Sequence, residues 1–258
     1  MDNNTRFIGF LGDNAWEQYT TLEEEFLRYL KYVPLDENHY NVWSLVLGDL
    51  LNNTGSVIDS FLKNAIYFDQ FNDIQNIEKC REDEKYHNMA TYRTIFDNFY
   101  NLSNKEIFEN KSWSKIIPFS NWTNNKSPEW WKNYTDLKHD RFSNRKKATF
   151  KITLDALGGL FLLNVIHLET RMILFRDGFI HAPKPLDHSR FREVVSKKEP
   201  LDDIKRPVYA KSRLFGYIFE TTNSRKLDDN GKIAILSPWF NESEFILWPS
   251  SMQLFGDF

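Results

Sequence analysis

The stretch that decides the fold is residues 128–163, PEWWKNYTDLKHDRFSNRKKATFKITLDALGGLFLL. The Ser-Pro-Glu sequence at 127–129 is typical of a helix start, so we predict a helix that ends near residue 141. After a basic turn, a strongly apolar helix is predicted over residues 145–175, and the Asp-Gly pair at 177–178 ends it. A dense polar cluster beside so many aromatic rings indicates a site or a charged partner surface.

Two long helices are predicted before this stretch. Apolar residues recur at helical spacing over residues 16–33, after a start at residues 1–14 that is predicted to be irregular. A second apolar stripe runs to about residue 63. It is predicted to open after Asp36 or Asn38, since both residue types are good helix caps. Together with residues 128–163, these stripes predict a mainly helical chain.

Two glycines lie inside the second stripe, at Gly48 and Gly55. Because glycine in a helix costs about 1 kcal/mol relative to alanine, we expect these positions to permit close helix packing. A third helix is predicted over residues 86–102. Residues 103–126 are predicted to form a loop, which is long for a compact domain and therefore a candidate for function.

The amino-acid composition changes after Ala182, where prolines become frequent. Three stretches there look strand-like: residues 208–221, 232–237 and 244–248. The Asp-Asp-Asn-Gly sequence at 228–231 predicts a turn between the first two. We therefore predict a mainly α protein, with a helical bundle over residues 1–182 and a small β-containing appendage over residues 183–258 packed on it.

Composition limits the classes of function. Aromatic residues are 16% of the 258, and the net charge of -3 provides no global positive field that would attract nucleic acid. Any contact with nucleic acid must therefore come from a local basic patch. The single cysteine, Cys80, fits a reducing cytoplasm. With no secretory signal pattern and no apolar stretch long enough for a bilayer, a cytoplasmic location without membrane contact is predicted.

The sequence contains no motif that is typical of metal or cofactor binding. The six histidines are scattered and form none of the tight ligand spacings of metal sites, so no metal is predicted. Neither a glycine-rich phosphate loop nor a nucleophile elbow is present, and no cofactor is predicted.

The best candidate for chemistry is the run Lys138-His139-Asp140-Arg141. Histidine titrates near neutral pH, and a histidine flanked by phosphate-binding cations is suited to acid–base work on a phosphodiester. The alternative is structural, because Lys, His and Arg at a helix C-terminus complement the helix dipole. Local physics alone favours the structural alternative.

A WWxxYxxLKHDR motif, formed by Trp130, Trp131, Tyr134 and residues 137–141, precedes an apolar helix at 156–163. On these residues the chain resembles the HEPN superfamily, all-helical bundles found in toxins, phage-defence proteins and CRISPR effectors. It more closely resembles uncharacterised bacterial proteins with this motif, and the likeness covers roughly residues 16–176. The resemblance implies a helical bundle, RNA or nucleotide binding, antiviral defence or toxin–antitoxin activity, and a dimer.

Active ribonucleases of that superfamily carry an arginine separated from a histidine by four to six residues. Counting back from His139 by that spacing reaches Tyr134, Asn133 and Lys132, so the arginine is missing and Lys132 is the available cation. A literal match does occur at Arg176 and His181. It lies at a predicted helix end, where such a motif is not expected, and we interpret it as chance.

Two functions stay open at this point. The favoured one is a non-catalytic module that binds nucleotide, RNA or protein through a local basic patch, in a bacterial defence or stress context. It would form a homodimer or bind a partner protein. Its predicted binding residues are Trp130, Trp131, Lys132, Tyr134, Asp140 and Arg145. The alternative is a metal-independent ribonuclease or toxin effector with His139 as acid–base and Lys138 and Arg141 on phosphate; Arg176 and His181 form a weaker alternative pair.

Overall fold

A computed structural model describes residues 8–75, 77–112, 114–181, 209–219, 226–227 and 233–234 of the chain. Helices make up most of these residues. In chain order they are α1 (Ile8–Tyr29), α2 (Leu45–Ala65), α3 (Ile77–Glu82), α4 (Met89–Tyr92), α5 (Asn98–Tyr100), α6 (Glu129–His139), α7 (Arg141–Asn144), α8 (Phe150–Ile166) and α9 (Leu168–Arg176). A π-helical turn over Arg93–Asp97 joins α4 to α5, so these two short helices form one run.

Short antiparallel strands accompany the helices. They are β1 (Ile107–Glu109), β2 (Lys115–Ile116), β3 (Ile180–His181), β4 (Tyr209–Lys211), β5 (Phe215–Ile218), β6 (Lys226–Leu227) and β7 (Ile233–Ala234). β1 pairs with β2, where Ile107 lies opposite Ile116, and also with β5, where Phe108 lies opposite Gly216. β3 pairs with β4, and β6 with β7. The mainly α prediction is therefore confirmed.

The strand predictions are confirmed in part. β4 and β5 fall within residues 208–221, and β7 falls within 232–237. Residues 244–248 and the turn at 228–231 lie outside the described residues. The predicted loop over 103–126 is more ordered than expected, because it contains β1, β2 and a 3-10 turn.

The chain divides into two compact units. One consists of Met1–Ile173 with Ser212–Tyr217, and the other of Leu174–Lys211 with Ile218–Phe258. The division therefore falls inside α9 rather than at residue 182, and a short segment from the C-terminal part belongs to the first unit. A separate appendage over residues 183–258 stays a prediction.

The core of the first unit is built around α8. Of its 17 residues, only Lys151 and Asp155 are not buried. A helix that is apolar on every side needs neighbours on every side. α8 packs against α1, α2 and α6, and α2 in turn packs against α1 and α6. This layered contact fixes where α6, the helix with the polar cluster, can lie.

A buried polar network holds the Ser212–Tyr217 segment on α1. The Glu23 carboxylate accepts hydrogen bonds from the Tyr19 hydroxyl and from the Leu214 backbone N–H, both at 2.8 Å. The Tyr19 and Ser212 hydroxyls lie 2.8 Å apart. Tyr19 and Glu23 are one turn apart on α1, so the helix presents both groups to the same segment. Because the contact spans about 190 residues of sequence, no local pattern predicts it.

Two predicted helix starts are wrong. α1 begins at Ile8, inside the stretch predicted to be irregular, and ends at Tyr29. α2 begins at Leu45 rather than after Asp36 or Asn38, because the Ser44 hydroxyl caps it by accepting from the Leu47 N–H at 3.1 Å. Asp36 caps only a 3-10 turn, where it accepts from the Asn38 N–H at 2.8 Å.

The helices predicted at 127–141 and 145–175 are each interrupted. Asp140 has extended backbone angles and caps α7, so α6 ends at His139 rather than at Arg141. The apolar helix begins at Phe150, where the Phe150 N–H donates to the Val42 carbonyl at 2.8 Å and Thr149 is the cap. A second break at His167 separates α8 from α9. The predicted end is confirmed, since Gly178 has a φ of 81°.

The two glycines of α2 have different surroundings. At Gly55 the Tyr134 ring of α6 lies over the backbone, so that Tyr134 Cδ1 would be 2.7 Å from an added Cβ. At Gly48 the nearest atoms to such a Cβ would be Ala148 Cβ at 3.9 Å and Leu137 Cδ2 at 4.0 Å, which is ordinary contact. Close packing is therefore required at Gly55 only.

We expect opposite effects of the same substitution at these two positions. Gly55→Ala should lower the free energy of unfolding by roughly 1–3 kcal/mol because α6 must move away from α2. Gly48→Ala should raise it by about 0.5–1 kcal/mol through helix propensity. Urea denaturation of the two variants measures both changes, and a destabilised Gly48→Ala with a neutral Gly55→Ala would contradict this packing.

His167 is a buried histidine at the break between α8 and α9. Its ring is fully buried with the Phe61 and Phe68 rings at its edges, at centroid distances of 5.4 and 4.8 Å. Neither ring nitrogen has a hydrogen-bond partner among the described residues. Burial, with a smaller effect of the Arg171 guanidinium, lowers the pKa of His167 to about 3. The folded protein therefore holds this imidazole in its neutral form.

The folded-state pKa of His167 lies below its usual 6.5, so its effect on stability is fully present above pH 6.5. It is lost progressively as the pH falls toward 3. At pH 5 the loss should amount to roughly 2 kcal/mol. His167→Leu should remove most of the change in unfolding free energy between pH 6.5 and 5, while His139→Leu should keep it. Equal pH profiles for wild type and His167→Leu would show that His167 is not the titrating group.

Candidate functional site

α6 is anchored by one buried face. Trp130, Tyr134 and Leu137 are each about 2% exposed, as expected for residues three and four apart on a helix. The Trp130 indole N–H donates to the Pro118 carbonyl at 2.7 Å. Trp130 and Tyr134 are therefore core residues, and a ligand at the surface does not reach their rings. Trp131 is half-buried beside Tyr134, and Lys132 is exposed.

The run Lys138-His139-Asp140-Arg141 is exposed along its whole length. The Lys138 ammonium lies 5.5 Å from the centre of the Tyr134 ring, over its face. Arg141 forms an ion pair with Asp49 of α2. A hydrogen bond from Ser143 holds the pKa of Asp140 below its usual value, so this carboxylate stays charged as the cap of α7.

Hydrogen bonds fix the turn that follows α6. The Asn144 amide donates to the Asp136 and Asp140 carbonyls, each at 2.9 Å. Lys147 pairs with Asp136 at 2.6 Å, and that contact lowers the pKa of Asp136. α7 therefore presents its side chains from a defined backbone even though it is one turn long.

Large apolar side chains are exposed around this turn. Phe142 is 89% exposed, Leu45 65% and Val46 50%, and Val42 and Trp43 are more than one-third exposed. The Arg145 guanidinium lies over the Trp43 ring, 5.5 Å from its centre. Arg141 pairs with Asp49, which lies one turn along α2 from Leu45. The Arg145–Trp43 and Arg141–Asp49 contacts therefore bring the turn after α6 close to the start of α2. We call the exposed apolar side chains and cations around this turn the basic–apolar surface: Val42, Trp43, Leu45, Val46, Lys138, Arg141, Phe142, Arg145 and Lys146.

Charges on this surface are only partly balanced. Residues 132–147 contain six Lys or Arg against two Asp. Arg141 and Lys147 are engaged by Asp49 and Asp136, whereas Lys138, Arg145 and Lys146 form no ion pair within the described part of the chain. The surface is thus positive, with carboxylates interspersed among its cations.

The weaker pair, Arg176 and His181, belongs to the second compact unit, whereas the polar cluster belongs to the first. Arg176 is the last residue of α9, and its guanidinium binds the Asp177 carboxylate through two contacts of 2.6 and 3.0 Å. This pairing lowers the pKa of Asp177. His181 belongs to β3, opposite Tyr209 of β4. The two residues therefore flank a helix end, as the sequence predicts.

Sequence analysis missed the apolar half of the surface. Trp43 falls within the second apolar stripe, which is predicted to be helical from Asp36 or Asn38 on, whereas α2 begins two residues after Trp43, at Leu45. Phe142 received no role, although it is an aromatic residue between two arginines in a short turn. The signal that could have found Trp43 is the Val-Trp-Ser-Leu-Val run at 42–46, with four apolar residues around a cap position. For Phe142 the signal is its place as an aromatic residue within a short polar turn.

Other kinds of site find no support in the residues that the structure describes. Within them, no group of three or more His, Cys, Asp or Glu side chains is arranged to hold a metal ion. Across the same ranges, no single helix is both long and apolar enough to cross a bilayer.

Comparison with known proteins adds no relative to these observations. No protein-family model, no curated protein and no solved structure matches this chain.

Anchoring and exposed aromatic residues should respond differently to substitution. Trp130→Phe removes the donor to the Pro118 carbonyl and should cost roughly 1–3 kcal/mol of unfolding free energy. Phe142→Ala should change it by less than about 0.5 kcal/mol, since this ring packs on little. Thermal and urea unfolding test both. A strongly destabilised Phe142→Ala would show that Phe142 is part of the core.

Proposed function

We propose that this chain is a non-catalytic helical binding module. Its basic–apolar surface would receive an acidic protein segment that carries apolar side chains. The observation that carries the proposal is the exposure of Phe142, Leu45 and Val46 next to cations that form no ion pair with any described residue. An apolar centre with a charged rim is the usual anatomy of a protein interface.

The aliphatic content of the surface favours protein over nucleic acid. Bases stack on aromatic rings, and Leu45, Val46 and Val42 offer none. Asp49 and Asp136 are paired with Arg141 and Lys147, so the cations left for a partner are Lys138, Arg145 and Lys146. An acidic peptide can place its carboxylates at Arg145 and Lys146 and its apolar side chains on Phe142. Peptide binding thus accounts for more of the surface than RNA binding does.

A rigid surface supports tight binding. Asp140, Asn144 and the Lys147–Asp136 pair tie α7 to the end of α6, which would reduce the ordering entropy that is lost when a partner docks. Aromatic and arginine side chains are also the residue types that contribute most to protein interfaces. A bacterial defence or stress context, implied by the HEPN resemblance, belongs to this proposal.

The ribonuclease alternative has less support. Lys132 stands where the superfamily pattern requires arginine, and lysine binds phosphate as a point charge rather than through a two-pronged contact. Arg141 is paired with Asp49, and Lys138 lies over the Tyr134 ring. His139 would therefore have to work without the superfamily arginine, and with Arg141 already in an ion pair.

Selection from a displayed library of random helical peptides tests the proposal. Peptides that bind the wild type should combine Asp or Glu with apolar residues at helical spacing, and should lose at least about tenfold in affinity on Phe142→Ala or Arg145→Glu. Tyr32→Ala is the matched control, because Tyr32 is also an exposed aromatic, at 85%. Binders without that pattern, or binders insensitive to Phe142 and Arg145, would refute the proposal.

RNA serves as the competing probe in the same experiment. Fluorescence anisotropy with a single-stranded oligoribonucleotide should give weak binding or none at physiological salt. Tight binding that weakens steeply with salt and depends on Arg145 and Lys146 would replace the protein partner by RNA. Cleavage of that oligonucleotide by wild type but not by His139→Ala would establish the ribonuclease alternative.

A further inference from the structure

We propose that this chain binds a second copy of itself by inserting the exposed Phe142 ring of one copy into the groove between α1 and α2 of the other. This inference rests on the proposed function and names the partner of the basic–apolar surface. The contact is between two different surfaces of the same chain, both of which belong to the first compact unit.

The groove has the size and lining for an apolar side chain. Its volume is about 300 Å³, at the lower end of the range for ligand pockets. The apolar part of its lining comes from Leu11 and Ala15 of α1 and from Val57 and Phe61 of α2. Neutral polar side chains complete it: Asn14, Gln18, Ser56, Ser60 and Asn64. Because several of these side chains are small, an aromatic ring can approach the helix backbones closely.

Acidic side chains border the groove on α1, and on α2 the bordering Lys63 is paired with Asp59. Asp13 and Glu17 lie on the exposed side of α1, one before and three after the lining residue Asn14. Glu25 is also exposed and continues the line of Gln18 two turns further along the helix. Among the described residues that line the groove there is no Lys or Arg. A positively charged partner is therefore favoured, and an acidic one is disfavoured.

The basic–apolar surface has the complementary properties. Phe142 projects from α7 with 89% of its surface exposed, and Lys138, Arg145 and Lys146 are exposed around it. Arg141 binds at Asp49, which is 11 residues and thus about 16 Å along α2 from Ser60. The described residues of one copy therefore form a groove and an exposed ring at separate places.

A contact between unlike surfaces has a defined consequence for assembly. Two copies can engage reciprocally and close as a dimer, or successive copies can add head to tail. In both cases each contact needs one intact groove and one intact Phe142. A contact of the same surface with itself would bring the cations of the two copies together, which costs energy.

A mixing experiment tests this pairing. Phe142→Ala removes the ring and keeps the groove, whereas Ser60→Trp fills the groove and keeps the ring. Sedimentation velocity should show self-association of the wild type that weakens about tenfold or more in each variant. An equimolar mixture of fluorescently labelled Ser60→Trp with unlabelled Phe142→Ala should restore a heterodimer, because each contributes one intact partner surface. Tyr32→Ala should associate as the wild type does.

Two results would overturn the inference. The first is a wild type that stays monomeric at all concentrations that solubility permits. The second is association that survives Ser60→Trp but not Phe142→Ala, which would indicate contact between two basic–apolar surfaces. In both cases the peptide selection decides the proposed function separately: acidic, apolar binders that depend on Phe142 would uphold it while the groove pairing fails.

Discussion

The burial of α8 on every side is the constraint on which the first unit depends. An apolar helix from Phe150 to Ile166 has no face that can meet water, so α1, α2 and α6 must surround it. The approach of α6 to α2 is then limited by the Tyr134 ring over Gly55, where no Cβ fits. The position of the polar run after α6 follows from this packing rather than from its own charges.

The same packing explains why polar groups occur inside the unit. Glu23 and Tyr19 are buried because they hold the Ser212–Tyr217 segment on α1, and each finds a partner there. His167 is different, since its ring is enclosed by phenylalanines and both nitrogens lack partners among the described residues. A neutral imidazole tolerates this environment better than a charged one, which links the stability of the fold to pH.

The charge that the basic–apolar surface offers to a partner depends on which of its cations already form ion pairs. Composition presents residues 132–147 as a basic patch, yet Asp49 and Asp136 each engage one of its cations. The remaining cations surround exposed apolar side chains that come from the chain before α2 as well as from α7. The protein contact that we propose for this surface rests on this combination of cations and apolar side chains.

The sequence by itself determined the helical character of the chain, the strongly apolar helix and the helix end at Gly178, because periodicity and end signals are local. It located the exposed polar run as well. Only the tertiary structure decided that Ser44 rather than Asp36 caps α2, that Asp140 interrupts the helix, and that Trp43, Leu45 and Phe142 share one surface. These outcomes depend on contacts such as Val42 with Phe150, Arg145 with Trp43 and Arg141 with Asp49, which join residues roughly 90 to 110 positions apart. Local propensity carries no information about such pairs, since they form only when α1, α2 and α6 have packed on α8.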